Sequence, residues 1–152
     1  MGKHNGSTKM KKRSTYRPRQ ATAPMLVNRG LMDDKLSLVE KMIVEAFAGG
    51  WATTQHFDEL ADMRNVLTLA AAYKADTDAL AMCDAMRLVL GNLRDRHTAT
   101  GRLGVTGDEL RMLRLFTEFY RDWWMRQPVA LYENACDELG RAHRMGVVKE
   151  AA

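Results

Sequence analysis

The chain contains 152 residues, so it can bury one hydrophobic core without relying on disulfides or metal ions. Hydrophobic residues make up 46% and charged residues 28% of the chain, and no run approaches the roughly 20 apolar residues that span a bilayer. The basic N-terminus is not followed by the apolar segment of a signal peptide, so a cytoplasmic protein without membrane contact is expected.

The formal net charge of +4 is unevenly distributed along the chain. Residues 1–20 contain seven basic side chains and no acidic one, whereas the remainder contains 16 basic and 19 acidic side chains. Residues 1–24 are rich in Gly, Lys, Ser, Thr and Pro and have no apolar period, so they are predicted to form a disordered basic arm. Residues 25–152 are predicted to form a single helical domain.

Two helices are predicted directly after the arm. The aspartate pair at 33–34 can cap the first helix, and the Gly49–Gly50 pair ends it. The second helix is predicted to begin at Thr53 or Thr54 and to end near Lys74. Its buried face is predicted to contain Phe57, Leu60, Met63 or Arg64, Leu67 and Ala71.

A third helix is predicted from Asp76 or Thr77, either of which can act as its cap, to about His97. Basic side chains near its end, including Arg94, complement the helix dipole. The three glycines that follow predict a loop over residues 98–107.

The fourth helix has the clearest start signal in the sequence. Thr106 and Glu109 have the spacing of a capping box, and the helix is expected to stop near Gln127, because Pro128 disfavours helical backbone before it. Pro128 is predicted to open a fifth helix that closes near Gly146. Since no run of alternating β-branched residues predicts a strand, the expected fold class is all-α, a compact bundle of about five helices.

Apolar residues lie on two faces of the fourth helix. One line contains Leu113, Phe116, Tyr120 and Trp124, and the other contains Met112, Leu115, Phe119 and Trp123. Such a helix is either central in the bundle or shared with another subunit. Because two adjacent tryptophans are difficult to bury in a small domain, an interface with a protein partner or a second copy is predicted at Phe119, Trp123 and Trp124.

The arm is the main candidate for binding nucleic acid. Its basic side chains would be attracted to phosphates, and its tyrosine could stack on an unpaired base. The predicted contacts are Lys9, Lys11, Lys12, Arg13, Tyr16, Arg17 and Arg19. Two other interpretations stay open, in which the arm binds an acidic protein surface or has no specific role.

No residue pattern in the sequence indicates an enzyme. The four histidines belong to no catalytic, zinc-binding or phosphate-loop motif, and the cluster at residues 56–59 is interpreted as the charged first turn of the second helix. Cys83 and Cys136 are far apart and are predicted to be buried free thiols. No catalytic residue, metal site or cofactor is therefore predicted.

The segment from Lys11 to Arg19 resembles the basic N-terminal arm of uncharacterised small helical proteins encoded by phages and prophages of proteobacteria. Two further patches are similar: residues 50–54 with Asp58 and Leu60, and residues 100–102 leading to 106–110. The resemblance implies a phage-encoded protein acting in the bacterial cytoplasm, and it implies no catalytic residue.

Together these observations predict a non-enzymatic accessory protein that binds nucleic acid through its arm while its helical body dimerises or docks a partner. The alternative is an inhibitor of a host defence or transcription protein that acts by protein–protein contact.

Overall fold

A computed structural model describes residue 38 and residues 40–146. The predicted arm and the predicted cap at residues 33–34 lie outside this range. The described residues form five helices and no strand: the described part of α1 ends at residue 49, and it is followed by α2 (Thr54–Lys74), α3 (Thr77–Thr100), α4 (Gly107–Met125) and α5 (Val129–Arg144). The all-α bundle predicted from the sequence is confirmed.

Most helix ends follow from the local sequence. Gly50 has a φ of 77°, the left-handed conformation that closes α1. Thr53 precedes α2, and Oδ1 of Asp76 accepts a 3.1 Å hydrogen bond from the backbone N–H of Ala79 at the start of α3. The predicted capping box of α4 is present, because Thr106 Oγ1 accepts the Glu109 N–H at 3.1 Å and Glu109 Oε1 accepts the Thr106 N–H at 2.9 Å.

Three helix ends differ from the prediction. α3 continues to Thr100 rather than ending near His97, because Gly101, with a φ of 76°, is the first residue that adopts the left-handed closing conformation. α4 ends at Met125 rather than near Gln127. Pro128 has a ψ of 144°, so it is the extended residue before α5 and not the first helical residue.

One hydrophobic core contains side chains from all five helices. α2 packs against both α3 and α5, and α3 packs against α4. The largest fully buried side chains are Trp123, Trp124, Phe47, Phe116, Ile43, Leu60, Leu67, Met86, Leu90, Leu93 and Leu113. The ion pair of Arg121 with Glu40 joins α4 to α1 at an N···O distance of 3.2 Å.

Candidate functional site

The residues predicted to bind nucleic acid lie outside the described part of the chain. They are Lys9, Lys11, Lys12, Arg13, Tyr16, Arg17 and Arg19. The described body has the opposite charge balance, because residues 40–146 contain 13 basic and 16 acidic side chains.

The two tryptophans predicted to form an interface lie inside the core. Trp123 is 1% exposed and Trp124 is 0% exposed, so neither presents a surface to a partner in this conformation. Their rings meet edge to face at a centroid distance of 4.9 Å, and Trp124 meets Tyr132 of α5 in the same way at 4.9 Å. Adjacent tryptophans are expected to be difficult to bury in a small domain, but both are buried here, because neighbouring aromatic rings enclose them.

The polar edge of Trp123 also has an internal partner. Its indole N–H donates a 2.8 Å hydrogen bond to Oδ2 of Asp76, at the turn between α2 and α3. This bond is the main reason why the pKa of Asp76 lies below its usual value, and the bond from Ala79 adds to the effect. Trp123 therefore connects the end of α4 to the start of α3.

The third predicted interface residue, Phe119, is only partly buried. It shares one line of α4 with Leu115, whose side chain is 54% exposed, and with the partly buried Met112. The accessible apolar surface of α4 is thus nearer its middle than the prediction placed it.

His56 acts as a helix cap. Its Nδ1 accepts the backbone N–H of Thr53 at 3.0 Å, and its ring meets the edge of Trp51 at a centroid distance of 5.5 Å. His56 therefore takes the position that Glu or Gln usually occupies in a capping box. The interpretation of residues 56–59 as a charged first turn is therefore only partly right, because α2 begins at Thr54, its first turn contains no acidic residue, and Asp58 and Glu59 come after that turn.

A cavity of about 210 Å³ opens to solvent where the start of α2 meets the end of α3. Its apolar lining consists of Phe57, which is 7% exposed, and Leu103, which is 8% exposed. Its polar lining consists of Thr54, Asp58, Arg94 and His97.

The charged groups of this cavity differ from the nearby Arg96 in their bonding. Within the described part of the chain, the side chains of Asp58, Arg94 and His97 form no hydrogen bond or ion pair. Arg96, two residues after Arg94, instead donates to the carboxylate of Glu109 and to the carbonyl oxygen of Gly104. Arg96 holds the loop before α4, whereas the side chain of Arg94 has no such partner among the described residues.

The sequence indicates these residues singly and not as one site. It predicts that Asp58 belongs to the first turn of α2 and that Arg94 and His97, near the end of α3, complement the helix dipole. Positions 94 and 97 are three residues apart on one helix, so their common face is visible in the sequence. The approach of Asp58 from another helix has no local signal.

The cysteines do not form a reactive pair. Cys83 is buried as predicted, whereas Cys136 is only partly buried, and burial raises the pKa of both thiols. Burial also raises the pKa of Tyr132, beside Cys136, to about 12. Among the described residues, no group of three or more His, Cys, Asp or Glu side chains could hold a metal ion.

No helix within the described range is long and apolar enough to cross a membrane. No protein-family model matches the chain, and no match to it was found among curated proteins or solved structures.

Proposed function

We propose that this protein binds nucleic acid through the basic arm, residues 1–24, and that the helical body carries this arm. The proposal includes the phage or prophage origin and the host cytoplasm that the resemblance implies. The observation that carries it is the separation of charge. Seven basic side chains occur in the arm without an acid, whereas residues 40–146 have an excess of three acids.

This separation favours a nucleic-acid ligand for the arm over one for the body. A positive segment gains affinity by releasing counterions from the phosphate backbone, and a body with excess acid is repelled by the same phosphates. The described arginines include several that are bound to carboxylates, among them Arg87, Arg96, Arg111 and Arg121.

The direct test compares the full chain with a full-length variant in which all seven basic arm residues, Lys3 and the six lysines and arginines from Lys9 to Arg19, are changed to Gln. Fluorescence anisotropy with labelled duplex DNA, single-stranded DNA and RNA measures affinity at low and near-physiological salt. We expect binding by the native chain and at least tenfold weaker binding by the variant.

A matched control removes charge from the body instead. Arg114, Arg126 and Arg141 are exposed, and their change to Gln is expected to leave the affinity within about twofold. Equal affinity of the native chain and the arm variant would contradict the proposal.

Changing Tyr16 to Ala separates stacking from charge, because it is expected to weaken binding to single strands more than binding to duplex.

A second candidate function is protein contact, either with a second copy or with a host defence or transcription protein. The observation in its favour is the exposure of Leu115 beside the partly buried Phe119. Sedimentation velocity of the native chain tests self-association, and Leu115→Glu is expected to abolish any dimer. Leu88→Glu is the control, since Leu88 on α3 is 59% exposed. A monomer at all concentrations would exclude the second copy.

A further inference from the structure

The cavity between α2 and α3 combines opposite charges with an apolar floor. Asp58 and Arg94 both line it, yet they form no ion pair with each other, and His97 lies on the same wall as Arg94. A ligand that carries both charges can lie between these side chains and pair with each of them.

We propose that this cavity binds a free α-amino acid with an aliphatic side chain. Arg94 and His97 hold the carboxylate, Asp58 holds the ammonium group, and the side chain of the ligand rests on Phe57 and Leu103. A guanidinium group is suited to a carboxylate, because its planar N–H donors match the two oxygens. A pocket with an apolar floor and a few converging polar groups is the usual form of a small-molecule site.

The size of the cavity limits the ligand. A volume of about 210 Å³ is that of a small cavity, which suits a compact molecule such as valine or leucine. Because the cavity is open and the ligand is small, we expect a Kd of about 1 mM.

The two charged groups of an amino acid are expected to give it a higher affinity than analogues that lack one of them. A carboxylate without the ammonium group leaves Asp58 unpaired and facing the negative ligand. An amine without the carboxylate leaves Arg94 and His97 unused. Each analogue is therefore expected to bind at least tenfold more weakly than the amino acid.

The experiment is an NMR titration of the full ¹⁵N-labelled chain with three compounds: L-leucine, 4-methylpentanoate and 3-methylbutylamine. Leucine is expected to give saturable shifts in the backbone amides around residues 54–58, 94–97 and 103, and the other two are expected to bind at least tenfold more weakly. The spectrum without ligand also reports whether each variant keeps the native fold.

Two pairs of variants complete the test. Arg94→Gln and Asp58→Asn are each expected to weaken leucine binding at least tenfold, and Asp58→Asn should make leucine bind no better than 4-methylpentanoate. The controls Arg102→Gln and Asp95→Asn alter exposed neighbours outside the lining, so they are expected to leave the Kd within about twofold.

Two results would overturn the proposal. One is the absence of saturable leucine shifts at these residues up to 20 times the expected Kd, roughly 20 mM. The other is binding of 4-methylpentanoate as tight as that of leucine, which would make the cavity a general anion site. Neither result depends on whether the arm binds nucleic acid.

Discussion

Arg96 donates to both carboxylate oxygens of Glu109, with Nη1 2.8 Å from Oε1 and Nη2 3.0 Å from Oε2. The same carboxylate accepts the backbone N–H of Thr106, so one side chain caps α4 and attaches it to α3. The Glu109 side chain is 10% exposed and that of Arg96 is 32% exposed. A paired-fork geometry with little exposure is the arrangement in which an ion pair contributes to stability.

A double-mutant cycle measures the coupling free energy between Arg96 and Glu109. Glu109→Ala is expected to lower the free energy of unfolding by about 2–3 kcal/mol, because it removes both the cap and the partner of Arg96. The coupling between Arg96→Ala and Glu109→Ala is expected to be about 1 kcal/mol in urea unfolding. The exposed pair of Asp108 and Arg111 serves as the control, with an expected coupling under about 0.5 kcal/mol. Equal coupling in both pairs would show that the geometry of Glu109 adds nothing.

Asp76 and Trp123 form the second cross-connection. Asp76→Ala removes the cap of α3 and leaves a buried indole N–H without an acceptor, so it is expected to cost about 2–4 kcal/mol in urea unfolding. Trp123→Phe is expected to make the same substitution at Asp76 less costly, since no donor is then left unpaired. Asp78→Ala, on the exposed first turn of α3, is the control and is expected to cost under about 1 kcal/mol. If Asp76→Ala lowers the free energy of unfolding equally in the native chain and in the Trp123→Phe variant, the hydrogen bond does not contribute to stability.

Acid is expected to weaken the fold through the same two carboxylates. The pKa of Asp76 is held below its usual 3.8, chiefly by Trp123, and the pKa of Glu109 below its usual 4.5, chiefly by Arg96. Each group then binds fewer protons in the folded state than in the unfolded state. The free energy of unfolding should therefore fall as the pH drops below about 5.

Substitutions of the carboxyl groups are expected to change the dependence of stability on pH in opposite directions. At acid pH the urea concentration at the midpoint of unfolding decreases, and Asp76→Asn and Glu109→Gln should each make this decrease smaller. Burial raises the pKa of Glu40, so protonation of Glu40 favours the folded state, and Glu40→Gln should make this decrease larger. A profile that Asp76→Asn leaves unchanged would contradict the role assigned to Asp76.

The fold could be predicted largely because its signals are local. Residues such as Asp76 and Thr106 cap helices through bonds to backbone groups three residues away, and that spacing is visible in the sequence. The sequence does not locate the end of α3, because three glycines follow it and only the backbone conformation identifies Gly101 as the closing one.

Which apolar face is covered depends on distant helices. Trp124 is enclosed partly by Tyr132 of α5, and the N–H of Trp123 finds Asp76, 47 residues earlier in the chain. Neither partner is implied by the pattern of α4 itself, and two of the three residues predicted to form the interface are therefore buried. The cavity was missed for the same reason, because Asp58 and Arg94 come from different helices.

Tryptophan fluorescence tests the burial directly. Of the three tryptophans, only Trp51 is exposed, at 55%, so acrylamide is expected to quench one accessible component. Trp51→Phe should remove that component, whereas Trp123→Phe should retain it. Gly49→Ala should increase the accessibility of Trp51, because the added Cβ would lie 2.5 Å from its Nε1 and displace the ring. Strong quenching in Trp51→Phe would contradict the buried positions of Trp123 and Trp124.

The salt dependence of nucleic-acid binding tests the central proposal most directly. If all seven arm charges contact duplex DNA, a plot of log Kobs against log salt concentration should have a slope of about −6. The variant with a neutral arm should then bind weakly and show a slope near zero, while the variant with Arg114, Arg126 and Arg141 changed to Gln should keep the native slope. A native slope near zero, or a steep slope that persists in the neutral-arm variant, would contradict the assignment of nucleic-acid binding to the arm.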